Sequence, residues 1–290
     1  MHNECFICDL NQIRKISAFM ELDESTENQL IATTNEYLQS CDMAKTNPEI
    51  MAEIWKCITI TLENDNPYKD IKTRYNQLIL SLEDDLTIMI GDSKQPLKTA
   101  LKLAILANII DFSARHQFDE QIVKDKLMQA DDIQLARDDS NKLFDALSNA
   151  KTLLYLGDNC GEIVIDKLLI QKIKQIYPNL NVTYGVRGQA IVNDVTLEDA
   201  KDVKMEEVAE IISNGDGSLG TVLERTSAPY QKVFQSSDVI IAKGQGNFEG
   251  LSDTTDKKLF FLFMAKCDLV ADLVGVNKMS IVCMENQPAI

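Results

Sequence analysis

Histidine is nearly absent from this chain of 290 residues, which contains only His2 and His116. Imidazole-activated nucleophilic catalysis would have to use one of them, and neither lies near a serine or cysteine nucleophile motif, so chemistry of the Ser-His or Cys-His kind is not expected. Positive charge is also short. Lys and Arg number 29 against 45 Asp and Glu, a formal charge of −16. A field of that sign repels phosphate backbones and anionic lipid, and no basic run offsets it locally, so neither nucleic acid nor a membrane surface is an expected partner. Long hydrophobic runs are missing as well: Leu259 to Ala265 is among the longest, far short of the ~20 residues that cross a bilayer. Met1-His2-Asn3-Glu4-Cys5 has neither a basic segment nor an apolar segment of the secretory type. The seven cysteines are an odd number scattered from Cys5 to Cys283, which is no disulfide framework and fits reduced thiols. The expectation is a soluble cytoplasmic protein; its oligomeric state is left open.

Apolar residues make up 45% and charged residues 26%, the composition of a globular chain that buries roughly three-quarters of its unfolded surface. The first half reads as helix after helix. Met43 to Leu62, Asp70 to Leu86, Gln95 to Asp111, Phe118 to Met128 and Ser140 to Ala150 place apolar residues at spacings of three and four, with Pro48, Pro67 and Pro96 as punctuation. The period then changes. Short apolar runs at Thr152–Leu156, Asn181–Val186, Ala209–Ser213, Asp238–Ala242, Leu259–Ala265 and Ser280–Met284 read as strands. Helical patterns at Glu162–Tyr177, Pro229–Gln235 and Asp268–Leu273 lie between them. Strands without polar alternation, separated by helices, imply a mainly parallel sheet. The predicted architecture is multidomain, α and α/β: a helical cap over 1–148 on an α/β metal- and phosphate-binding core over 149–290.

Open α/β sheets bind ligands beyond the carboxyl ends of their strands. The segments there are Gly157-Asp158-Asn159-Cys160-Gly161-Glu162, Arg187-Gly188 with Asn193-Asp194-Val195-Thr196, Asn214 to Thr221, and Lys243-Gly244-Gln245-Gly246-Asn247-Phe248-Glu249. Asp158, Asn159 and Asp194 are hard oxygen donors of the kind that suits a divalent cation. The plainer alternative is helix capping, with Asn193-Asp194 capping a helix at Thr196–Ala200. Lys243 ends an apolar strand, either surfacing at a sheet edge or aimed at a phosphate, with Gly244 and Gly246 letting backbone N–H groups approach. Glu162 is either a first-turn dipole partner or an acid behind the site.

Gly215-x-Gly217-x-x-Gly220 formally fits the dinucleotide fingerprint, but the next strand ends in Lys243 where an acid would meet the ribose. No Walker lysine, Gly-x-Ser-x-Gly elbow or Asp-x-Asp-x-Thr signature occurs. Cys5-Phe6-Ile7-Cys8 lacks a second pair to complete a zinc site; His2 and Cys267 could join it if the N-terminus folds back, whereas the plainer reading is small buried hydrophobes on a helix.

The ordered set Gly157-Asp158-Asn159-Cys160-Gly161-Glu162-Ile163-Val164-Ile165-Asp166, Val186-Arg187-Gly188 with Asn193-Asp194-Val195-Thr196, and Ala242-Lys243-Gly244-Gln245-Gly246-Asn247-Phe248-Glu249 resembles the metal-dependent damage-control phosphatases, once labelled domain of unknown function eighty-nine. Cys5-x-x-Cys8 and Lys266-Cys267 resemble its prokaryotic branch. The resemblance implies a helical cap on a three-layer α/β/α core, and hydrolysis of small phosphorylated metabolites such as sugar phosphates or cofactor-related phosphates. One divalent cation (Mn, Mg, Co or Ni) is implied, with Asp158, Asn159 and Asp194 as its ligands. Asp158 and Lys243 are the catalytic candidates, and Glu162, Arg187, Lys243 and Gly244 the substrate- or phosphate-binding ones. The nucleophile is a water or Asp158 itself. Two departures are Cys160, where alanine is common, and a Gly215–Thr221 loop without the expected proline. A carboxyl methyltransferase dependent on S-adenosylmethionine and a non-catalytic anion-binding module are the alternative functions.

The single Cys-x-x-Cys gives a first expectation: changing Cys5 and Cys8 together to serine lowers stability more than turnover. Zinc content and activity measured on the same preparation check it, and loss of a stoichiometric zinc together with activity would contradict it.

Overall fold

The computed structural model describes residues 3–109, 120–254 and 259–286; His2 and His116, and the parts of the expected helices that fall on 110–119, lie outside them. Helices come first along the chain: α1 (Asn3–Phe19), α2 (Glu24–Ser40), α3 (Asn47–Thr61), α4 (Lys69–Ser81), α5 (Glu83–Asp92), α6 (Pro96–Leu106) and, after a 3-10 turn at Ala107–Ile109, α7 (Glu120–Met128). Their starts follow local chemistry. Asp23 caps α2 by accepting the Thr26 N–H at 2.9 Å, Thr46 and Glu49 form a capping box ahead of α3, and Pro48 and Pro96 occupy first-turn positions where a missing N–H is harmless.

The expected helix from Asp70 to Leu86 is two helices. The chain turns at Leu82, which ends α4 and begins α5 with a tight bond from its N–H to the Ile79 carbonyl. No glycine, proline or capping side chain marks this break, so the apolar period runs across it unchanged.

The sheet comprises β1 (Arg137–Asp138), β2 (Thr152–Leu156), β3 (Asn181–Val186), β4 (Glu210–Ser213), β5 (Val239–Lys243), β6 (Leu259–Met264) and β7 (Ile281–Glu285), in the order β1-β7-β6-β5-β2-β3-β4. All neighbours are parallel except β6 and β7. Helices α8 (Ser140–Asn149), α9 (Glu162–Ile176), α10 (Leu197–Asp202), α11 (Ala228–Ser236), α12 (Gly244–Leu251) and α13 (Asp268–Val274) complete the chain. Strand β1 pairs with β7 from upstream of residue 149, so the sheet draws on both halves of the chain.

Alternation along the strands sorts the core into layers. Leu153, Tyr155, Ile241, Phe260 and Leu262 join one apolar cluster with α4 to α6, α8 and α9. Leu154, Leu156, Ile240, Phe261 and Phe263 join another with α11, α12 and α13. The sheet is therefore buried on both faces, as its continuous apolar strands require. A third cluster unites α1 to α3 with Ile191, Val192 and Leu219 from loops beyond the strands. The helical region thus closes over the carboxyl edge of the sheet.

The strand-end stretch after Lys243, read from the sequence without any helix, is α12, which starts directly at the end of β5. Two glycines in its first turn disguise it, because glycine is a poor helix former. Among the described residues no helix is long and apolar enough to cross a membrane.

Phe261 is fully buried, in edge contact with Phe248 at 5.1 Å between ring centroids. Phe261→Ala is expected to lower unfolding stability by about 3–5 kcal/mol, read as a shifted urea midpoint with an unchanged slope.

Candidate active site

Strands β3 and β4 continue to one side of β2, whereas β5 returns to its other side. This reversal opens a crevice between the carboxyl ends of β2 and β5, the place where doubly wound sheets take ligands. Gly157 and Asp158 follow β2; Lys243 ends β5 and Gly244 opens α12. The two ends touch. Gly244 has φ +79°, and a Cβ added there would run into the Asp158 carboxylate, so only glycine fits both the backbone and the space.

Asp194 arrives from the loop beyond β3. Backbone bridges pair Asn159 with Asp194 and Arg187 with Thr196, and the Val195 N–H donates to the Asp158 carbonyl at 2.8 Å. Val192, two residues before Asp194, sits at φ +44°, an uncommon conformation for a β-branched residue. Its buried side chain is held in the α1–α3 cluster. Thr196, with Asp199, forms the capping box of α10, and Gly161 is the N-cap of α9. Neither Asp194 nor Asp158 caps the helix that follows it; Asp194 instead accepts from Arg187 Nε at 2.6 Å.

The side chains form one connected network. Asn159 Nδ2 donates to Asp158 Oδ2 at 2.8 Å and to Glu162 Oε1 at 2.7 Å. Asn108, from the 3-10 turn after α6, donates to the same two oxygens at 2.9 and 2.7 Å. Lys243 Nζ lies between Glu162 Oε2 at 3.1 Å and Asp166 Oδ1 at 2.7 Å. Arg187 Nη2 stands 3.8 Å from Asp158 Oδ1 and makes no hydrogen bond, while its Nη1 donates to Thr221 Oγ1 at 3.3 Å. Thr221 in turn donates to Asn247 Oδ1 at 2.8 Å.

Four carboxylates (Asp158, Glu162, Asp166, Asp194) and two cations (Arg187, Lys243) are buried here, a formal charge of −2. The crowding shows in the acidities. Burial, then the charges of Asp194 and Glu162, push the Asp158 carboxyl well above the usual range, against the pull of Lys266 and Arg187. Burial raises Asp194 despite Arg187, and Asp166 despite Lys243. Burial works against the Lys243 ammonium, but Asp166 and Glu162 outweigh it and raise its pKa above that of a free lysine. A dication would neutralise this excess, and Asp158, Asn159 and Asp194 offer it hard oxygen donors. Among the described residues no three His, Cys, Asp or Glu side chains form a ready-made metal cluster; the expected set is two carboxylates and an amide. These residues fit a hard, partly solvated cation, since Mg²⁺ and its relatives keep several waters and need few carboxylates.

The structure brings together Asp158, Asn159, Glu162, Arg187, Asp194, Lys243 and Gly244, whereas Cys5 is half-buried and Cys8 exposed on α1, so neither is a buried core hydrophobe. It adds Asn108, Asp166, Thr221 and Asn247, and sets Lys266 within electrostatic reach of Asp158. Asp166, Asn247 and Lys266 sit within or beside the conspicuous motifs, so proximity was a usable signal. Thr221 closes the strand-end segment Asn214 to Thr221, whereas Asn108 carried no signal. Cys160 is buried, and burial pushes its thiol pKa well above the usual value. The glycine series is not followed directly by a helix: a 3-10 turn at Leu223–Arg225 comes first. A Cβ on Gly220, at φ +112°, would strike the Gly246 backbone. Close approach of two loops accounts for that glycine without a nucleotide.

A family model for the damage-control phosphatase ARMT1-like domain matches residues 1–282. The chain belongs to this family. It is 35% identical to a damage-control phosphatase of Pyrococcus horikoshii, over 98% of this chain and 97% of that one. It is 30% identical to a damage-control phosphatase of Archaeoglobus fulgidus, over 94% of each. The crystal structure of a DUF89 family protein from Pyrococcus horikoshii superposes with a TM-score of 0.90, covering 99% of both chains at 32% identity. The ARMT1-like fold, with a helical region leading into an α/β core, is thus established for this chain.

The contact between Gly244 and Asp158 yields a direct test. Gly244→Ala is expected to remain folded by circular dichroism, at a loss of about 1–3 kcal/mol for the strained backbone. Displacement of Asp158 should weaken manganese binding at least tenfold by calorimetry.

Proposed function

We propose that this chain is a divalent-metal-dependent phosphatase that hydrolyses phosphomonoesters of small metabolites, such as sugar phosphates or cofactor-related phosphates. The observation that carries this reading is the buried excess of two negative charges at the switch-point crevice, next to an arginine nitrogen without a hydrogen-bond partner. Membership of the damage-control phosphatase family supports it. Asp158, Asn159 and Asp194 would hold one Mn, Mg, Co or Ni ion, which when bound supplies charge stabilisation at the phosphoryl group.

The remaining work falls to the chain. Arg187 is oriented by Asp194, so its free Nη2 is preset to receive a phosphoryl oxygen. Lys243 stays an ammonium: Glu162 and Asp166 take two of its three N–H donors, leaving one for the phosphate. It serves as a fixed charge, not a proton donor. The first turn of α12, opening at Gly244, directs backbone N–H groups towards the same crevice. Asp158, held by two amides, either attacks phosphorus or orients the water that does.

Release of phosphate from an aryl phosphate should vanish in excess EDTA and return with Mn²⁺, Co²⁺, Ni²⁺ or Mg²⁺; full activity in EDTA would end this reading. Asp194→Asn should weaken metal binding and rate together, partly restored by excess metal. Asp158→Asn should be more damaging, and beyond rescue by metal if Asp158 is the nucleophile. Lys243→Ala should weaken phosphate binding more than metal binding. It should also lower stability by about 3–5 kcal/mol, because Glu162 and Asp166 lose their counter-charge. Asp238 supplies the control. Its carboxylate accepts the Lys151 and Thr152 N–H groups at 2.9 and 3.0 Å, at the opposite edge of the sheet, so Asp238→Asn should leave turnover unchanged.

A further inference from the structure

Asp166 is placed against neither the cation nor the phosphate in the reaction just described, yet it is fully buried and satisfied by three side-chain donors. Its Oδ1 accepts from Lys243 Nζ and from Tyr155 Oη, each at 2.7 Å, and its Oδ2 accepts from Tyr184 Oη at 2.9 Å. Tyr155 and Tyr184 are register partners on β2 and β3, with their rings stacked at 5.5 Å between centroids and 17° between planes. Asp166 lies four residues beyond Glu162 on α9, so both carboxylates face one stripe of that helix.

The two carboxylates are not equivalent. Glu162 shares its Oε1 with Asn108 and Asn159, and both of those amides also hold Asp158. Any rearrangement of Asp158 and Asn159 around a cation or a phosphate therefore pulls on Glu162. Asp166 has no such link; its other partners are tyrosines anchored in the centre of the sheet. A flexible four-carbon side chain tied only to Glu162 would shift with the site, whereas one tied also to Asp166 keeps its place. We propose that Asp166, clamped by Tyr155 and Tyr184, is a positioning residue that fixes the Lys243 ammonium independently of events at Asp158. The proposal rests on the reading of Lys243 as the phosphate-contacting cation, and it assigns pre-organisation of that charge to a network below the site. A purely structural buried network would instead support the fold without acting through Lys243.

A double-mutant cycle separates the two. Asp166→Asn, Lys243→Met and the double variant are compared by kcat/KM for aryl phosphate release with Mn²⁺, by inorganic phosphate affinity and by Mn²⁺ affinity. Asp166→Asn alone should lower kcat/KM and phosphate affinity at least tenfold while changing Mn²⁺ affinity less than twofold. In the Lys243→Met background the same change should have less than a twofold effect. Tyr184→Phe retains the charge and nearly the same volume; it should give a smaller loss, roughly two- to fivefold, that also disappears in the Lys243→Met background. It carries the cycle if Asp166→Asn does not fold. Losses that multiply in the double variants, or variants that alter urea stability while leaving phosphate affinity intact, would overturn the proposal. If the wild-type protein binds inorganic phosphate but releases none from esters under any cation, the phosphatase reading fails while the phosphate-affinity cycle still decides the role of Asp166. Absence of phosphate binding by the wild type would overturn both.

Discussion

Mutual repulsion among carboxylates kept away from water is the constraint around which this protein is arranged. Asp158, Glu162, Asp166 and Asp194 come from the segment after β2, the next two turns of α9 and the loop beyond β3, and each is at most 7% exposed. Burial drives Asp158, Asp166 and Asp194 towards protonation, as their raised pKa values show. The structure offsets this with two cations, two amides and two phenols, and still leaves a deficit of positive charge. A fold gains little stability from such a cluster, because the desolvation of buried ions commonly matches or exceeds their attraction. Such a cluster therefore calls for a functional account, which the proposed cation and anionic substrate supply.

That deficit also reconciles the strongly acidic chain with an anionic substrate. A long-range field from −16 formal charges repels a phosphate at a distance, and salt screens it within about 10 Å. Inside the crevice the relevant charges are few and close: Arg187, Lys243 and, at its edge, Lys266. On the proposed reading, capture of phosphate depends on local geometry and on the cation, not on steering by the whole surface.

Much of the fold was legible because strands and helices of this chain carry different periods. All six strands expected from the apolar runs are present, their ends shifted by a residue at most, and the strand-end rule led directly to Asp158, Asp194 and Lys243. What escaped did so for physical reasons. Strand β1 is two residues long and has no period to read. The junction at Leu82 lacks any breaking residue. Helix α12 is masked by its glycines, one of which is demanded by the Asp158 carboxylate. Asn108 was invisible because a lone asparagine at the end of an apolar helix looks like a cap, and its partners lie 50 and 54 residues away along the chain.

Asn108 is also one of several ties that make the helical region part of the site instead of a lid placed upon it. From α4, Asn76 accepts the Gly161 N–H at 2.7 Å, fixing the start of α9. Lys72, also on α4, forms a buried ion pair with Asp199 at 2.6 Å. Asp199 in turn holds Thr196 by its N–H and hydroxyl at 2.8 and 2.6 Å, two residues beyond Asp194. Each polar contact is paired inside the protein, so breaking one leaves a desolvated group behind. The loops bearing Asp158 and Asp194 are consequently held from both sides, by the sheet below and by α4 and the Asn108 turn above. On the proposed reading, variation in the helical region alters which phosphorylated molecule fits only where it spares Lys72, Asn76 and Asn108, whose removal would disturb the loops bearing Asp158 and Asp194.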